Sequence, residues 1–202
     1  VLWVMDKYAG AKHLVDEMTL VDESYRLEEE QSSAKSHLNQ YSNRLRDVPT
    51  DLYALLGRAE HYLKLGQDEN ALVDMNKAVE SHPKSISALN MRGAYLAKTG
   101  KQNEAMKDIT ASLKVDKSDN LEAYFVRGLI NAELEQYNKA IADFDKVIEM
   151  DYNFYKAYYD RGICYEALGD VDEACKNFEI AKLMGDKNAE EMYHLSCEFG
   201  AW

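Results

Sequence analysis

The chain has 202 residues, enough for one domain or two small ones with a substantial core. It carries 24 basic against 36 acidic residues, a formal net charge of −12 at pH 7. That balance argues against a nucleic-acid backbone or an anionic membrane as partner, since both need clustered Lys and Arg, and it leaves basic or apolar protein partners open.

No apolar run reaches the roughly 18 residues that a membrane helix needs, so no membrane insertion is expected. The opening VLWVM is too short for a secretory core and lacks a basic flank, and the chain does not start with Met, so a trimmed targeting signal stays open. Cys164, Cys175 and Cys197 are odd in number and form no CxxC, which predicts buried free thiols and no disulfide framework.

In chain order, Val4, Tyr8, Ala11, Val15 and Met18 step by four and three, as do Ala34, Leu38, Tyr41, Leu45 and Val48. Both sets predict helix faces. The segment 28–33 breaks their phase, as a turn or an exposed piece of helix. Residues 1–48 therefore read as ending in the second helix of a degenerate repeat, as one long helix packing elsewhere, or as a dimerising coil.

From Leu52 the text repeats. Ala71, Ala105, Ala140 and Ala174 are separated by 34, 35 and 34 residues, and the same register aligns Arg58, Arg92, Arg127 and Arg161. It also groups Asp74, Asp108 and Asp143 with Asn177, and Gly66, Gly100 and Gly169 with Glu135. The extra residue falls between Ser112 and Arg127, around 117–120. Four units follow, at 52–85, 86–120, 121–154 and 155–187. Each predicts two helices around a left-handed turn. In the last unit Gly162 and Ala174 allow close approach of the two axes, and Phe178 wedges beside them. One such hairpin leaves apolar faces open, and stacking its neighbours closes them. Beyond the array, Ala189, Met192, Ser196 and Phe199 share one face of a predicted capping helix over 188–202.

The period, the small–aromatic–small spacing and the turn, as in AYYDRGICYEALGDVDEACKNF and AYFVRGLINAELEQYNKAIADFDKVIEMD, resemble the tetratricopeptide repeat. The resemblance implies an all-α, right-handed α-solenoid with helical extensions at both ends. It also implies a non-enzymatic scaffold or adaptor that binds a peptide or helix of a partner in a concave groove. The closing AKLMGDKNAEEMYHLSC is similar to bacterial members, some of them exported, whereas the missing signal and disulfide pattern favour the cytoplasm weakly.

The groove face on the first helices reads Leu56 and Glu60, then Asn90, Met91 and Ala94, then Glu122, Phe125, Val126 and Leu129, then Lys156, Tyr159, Asp160 and Ile163. The pattern of the stacked hairpins leaves these side chains without a packing duty, so the apolar ones predict a binding patch, with Phe125 and Tyr159 as anchors. The alternative occupant of the groove is a terminal helix of this same chain. The family's carboxylate clamp implies a ring of Lys, Asn and Arg on three successive first helices. Leu56, Glu60, Met91, Glu122 and Val126 stand at those places; one unit later only Asn90 and Lys156 fit. Chaperone-tail binding is therefore not expected.

The aligned Arg and Asp predict a ladder of ion pairs, within a unit or from one second helix to the next first helix; the alternative is an anion grip. His13, His37, His61, His82 and His194 show no metal-ligand spacing, and His194 with Cys197 makes a weak nucleophile pair. Gly93 to Lys101 fails the phosphate-loop spacing. No enzyme, metal or cofactor is expected. The competing class is a structural subunit of a homo- or hetero-oligomer built through the terminal helices.

Overall fold

The computed structural model describes residues 31–198, which are all-α with no strand among the described residues. The predicted face from Val4 to Met18, and Phe199 at the other end, lie outside them. The helices are α1 (31–47), α2 (Leu52–Lys64), α3 (Asp68–Ser81), α4 (Ile86–Lys98), α5 (Gln102–Val115), α6 (Leu121–Glu133), α7 (Tyr137–Met150), α8 (Tyr155–Ala167), α9 (Val171–Leu183) and α10 (Lys187–Tyr193). A π-helical turn, His194–Glu198, follows α10. The described residues divide into two compact units, 31–81 and 82–198.

Local chemistry sets the helix ends. Asp51, Ser85, Asn120, Asp170 and Asp186 each accept a hydrogen bond from a first-turn N–H, satisfying one donor that the helix leaves open. Gly66, Gly100 and Gly169 take positive φ at the turns inside the hairpins, as the register predicts, and Glu135 takes the same conformation at φ 57°. The N–H after each turn residue bonds back to the helix, as in Gln67 to the Tyr62 carbonyl and Gln136 to that of Asn131. The third hairpin thus keeps its turn despite a side chain in a conformation that favours glycine.

In the first unit, α2 pairs with α3, and α1 packs on α2. The Tyr41 ring fills the notch at Gly57, where an added Cβ would lie 2.5 Å from its Cζ. It also stands edge-on to Tyr53 at 5.7 Å. Ala34 and Leu45 are buried as their predicted face requires, whereas Val48 at its end is exposed. Residues 31–33 are exposed helix, not a turn.

In the second unit, hairpins α4–α5, α6–α7 and α8–α9 pack consecutively, and α10 packs on α9. Each hairpin closes on a large side chain lying against a glycine. A Cβ on Gly93 would meet Ile109 Cδ1 at 2.6 Å, one on Gly128 would meet Phe144 Cε1 at 2.6 Å, and one on Gly162 would meet Phe178 Cε1 at 2.7 Å. Phe144 and Phe178 are wholly buried, worth about 2–3 kcal/mol each.

The cysteine expectation is corrected. Cys175 on α9 and Cys197 in the π-helical turn form a disulfide, and only Cys164 is a buried free thiol. Docking of the chain end on α9 brings the two sulfurs together, a tertiary event that sequence spacing does not display.

Candidate functional site

The arginine ladder forms, and mostly inside the hairpins. Arg58 donates through Nε and Nη2 to Asp74, both at 2.7 Å, and Arg92 holds Asp108 in the same way. Arg127 holds Asp143 at 3.0 and 2.6 Å. These carboxylates are buried, and the bidentate bonds raise the Arg58 and Arg127 pKa against the opposing pull of burial. The last rung differs. Arg161 donates to Asn177 at 2.9 Å and reaches back to Asp145 on α7 at 2.5 Å. The charge missing at Asn177 is thus supplied by the preceding hairpin.

The predicted groove residues fall into separate groups. In the first unit Leu56 is half-buried and Glu60 is exposed, paired with Lys64 at 2.7 Å, a bond that lowers its carboxyl pKa. In the second unit Asn90 is buried. It donates to Asn120 Oδ1 at 2.8 Å and Glu122 Oε2 at 3.3 Å, and its own Oδ1 has no partner among the described residues. Its predicted place on an open groove face is therefore corrected, since it is buried and Asn120, at the start of α6, holds its amide. Met91 is half-buried, and Ala94 packs against the Leu96–Ile109 cluster.

For Phe125 and Tyr159 one expectation is corrected, that they lack a packing duty, because both rings pack on the core. Phe125 lies 5.9 Å from Phe144 and edge-on to Phe154 at 4.9 Å, and Tyr159 lies 6.0 Å from Phe178. Both keep part of their surface open to solvent. Leu129 and Ile163 are also half-buried, Val126 is buried, and Lys156 and Glu122 are exposed. The open apolar surface of α4, α6 and α8 is thus the outer half of side chains whose inner half is core.

Two acid groups on α8 depart from ordinary behaviour. Burial, reinforced by Asp186 and opposed by Lys156, pushes the Asp160 carboxyl up to about 7. Burial and Asp160 push the Cys164 thiol up to about 11, so it is an inert core group. His194 bonds Glu198 at 2.5 Å and Cys197 is in the disulfide, so the His194–Cys197 pair offers no nucleophile. Among the described residues no helix is long and apolar enough to cross a membrane.

Family profiles described as tetratricopeptide repeat match residues 53–85 and 132–182, on the same hairpins that carry the glycine turns and the arginine rungs. The chain is a tetratricopeptide-repeat protein. Among solved structures, this tetratricopeptide chain is similar to that of MamA, at 25% identity over 76% of this chain and 89% of that one, with a TM-score of 0.65. YrrB, titled a TPR protein with an unusual peptide-binding site, matches at 20% identity over 80% of this chain and 83% of that one, TM-score 0.65, a likeness of fold. Human DnaJ homolog subfamily C member 3 is 27% identical over 79% of this chain, which spans 34% of that relative's length. The fold is that of protein-interaction scaffolds.

Proposed function

We propose that this tetratricopeptide protein is a non-enzymatic adaptor that binds an extended or helical segment of a partner protein along the first helices of its second unit. The repeats run over 52–85, 86–120, 121–154 and 155–187. The observation that carries the reading is the half-open row Met91, Phe125, Leu129, Tyr159 and Ile163 on α4, α6 and α8. Apolar anchors of this kind, with Lys156 at one end for orientation, suit a few hot-spot contacts. YrrB, a TPR protein of the same fold, has an unusual peptide-binding site, which is consistent with this use. In the first unit Leu56 and Glu60 would offer a separate, smaller face. The Cys175–Cys197 bond supports an oxidising compartment over the reducing cytoplasm.

The test avoids the core. A photo-cross-linking phenylalanine analogue replaces exposed Lys156 on α8 or, as control, exposed Lys114 on α5. Partner cross-links at position 156 and none at 114 are expected in native extract. Cross-links at 114 and none at 156 would overturn the groove. Cross-links between copies of this chain would favour the oligomeric-subunit reading instead.

A further inference from the structure

On the other side of α6 lies a cleft of about 560 Å³ that the partner groove does not use. Arg127 and Asn131, which line it, each follow a groove residue of α6, Phe125 and Leu129, by two positions. Two positions turn a helix by about 200°, so the cleft and the groove open in opposite directions. The floor of the cleft is the third arginine rung.

That rung is incomplete at one edge. Arg58 engages three guanidinium nitrogens and Arg161 two: Nε, joined by Nη2 in Arg58, reaches forward sixteen residues, while Nη1 reaches back sixteen, to Ser42 and Asp145 respectively. Arg127 spends Nε and Nη2 on Asp143, and its Nη1 makes no hydrogen bond among the described residues. The place in register with Ser42 and Asp145 is taken by Thr110, seventeen residues back because of the extra residue in the 116–120 loop, and Thr110 lines the cleft.

Asp143 does not compete for that edge. Both its oxygens are engaged, by Arg127 and by Asn131 Nδ2 at 3.0 Å. A second cation, Lys139, stands on the cleft wall with its ammonium on Gln136 Oε1 at 2.6 Å. With Asp143 neutralising one charge, two cations and one anion leave the cleft positive in a chain of net charge −12. Met106 and exposed Leu134 supply an apolar flank.

We infer that this cleft binds a carboxylate carried on a small aliphatic group, seated between Arg127 Nη1 and the Lys139 ammonium with its alkyl part on Met106 and Leu134. A planar carboxylate matches a guanidinium edge, and an adjacent ammonium adds charge without demanding further geometry. A peptide's C-terminus and an acidic side chain beside a leucine both present this chemistry. The site is independent of the groove on α4, α6 and α8.

The test is titration of the whole chain, followed by amide resonances of Thr110, Gln136 and Lys139. The probes are acetyl-Leu-Leu with a free carboxylate, acetyl-Leu-Glu-amide, acetyl-Leu-Leu-amide and inorganic phosphate. Saturable shifts are expected with one or both carboxylates, separating the terminal from the side-chain source, and none with the uncharged amide. Thr110→Asp supplies an internal carboxylate to Nη1, as Asp145 does for Arg161. It should weaken binding at least tenfold without lowering the melting temperature, and Lys139→Gln should weaken it severalfold. Equal binding of the amide, phosphate binding without carboxylate binding, undiminished binding to Thr110→Asp, or a lower melting temperature for that variant would each overturn the assignment.

Discussion

Asp143→Ala tests whether the arginine ladder is structural. The carboxylate is 4% exposed and accepts three hydrogen bonds, from Arg127 Nε, Arg127 Nη2 and Asn131 Nδ2. Its loss leaves a guanidinium and an amide facing a buried methyl group. Breaking a fully buried pair costs about 3–5 kcal/mol. The Arg127 side chain is 30% exposed, so water recovers part of that, and about 3 kcal/mol is expected. Asp145→Asn is the contrast. That side chain is 45% exposed and Arg161 keeps Asn177, so the loss should stay below about 1 kcal/mol. Urea and thermal melts by far-UV circular dichroism read both, and Arg127→Met with Asp143→Leu should recover more than half of the loss. An Asp143→Ala variant within about 1 kcal/mol of the parent, or an Asp145→Asn variant equally destabilised, would refute the reasoning.

Two further outcomes follow from the C-terminal hairpin and its cap. The Asp160 carboxyl sits at about 7 in the folded chain against an ordinary 3.8, so the folded state keeps a proton that the unfolded chain releases. Stability therefore falls as pH rises from about 4 to about 7 and levels off above that. Asp160→Asn should raise the melting temperature at pH 8 and leave it nearly unchanged below about pH 4; equal effects at both would remove Asp160 from the account. The Cys175–Cys197 bond closes a loop with a sequence separation of 22, and opening it with Cys175→Ser should cost about 3 kcal/mol locally. Amide exchange over α10 should then speed by about a hundredfold while α6 and α7 hold, and an unchanged rate would show that the cap does not depend on the bond.

The fold was legible where one residue type had to recur. Gly162 against Phe178, the positive-φ turns and the Arg–Asp rungs all repeat at a fixed offset, and each appears in the structure. Legibility ended where contacts depend on how elements dock. Helical spacing put Phe125 and Tyr159 on the groove face, free of packing. A packed helix buries a wider stripe than a strict period implies, so both rings reach Phe144 or Phe178. Asn90 looked like a surface ligand because Asn120, thirty residues on, was not visible as its lid. The disulfide gave no local signal, since its halves lie on α9 and in an irregular turn.

The third rung can also be seen as a flaw in a one-dimensional lattice. Arg58 and Arg161 reach sixteen residues in both directions, so each bridges its own hairpin and the helix before it. An array obeying that rule can gain or lose a whole repeat without meeting a new kind of contact. The Arg127 rung breaks the rule by a side chain and not by register: the forward bond to Asp143 forms, while Thr110 holds the backward place without bonding Nη1. Where that substitution leaves a charged edge beside a cleft, it gives one repeat an identity that its otherwise interchangeable neighbours lack.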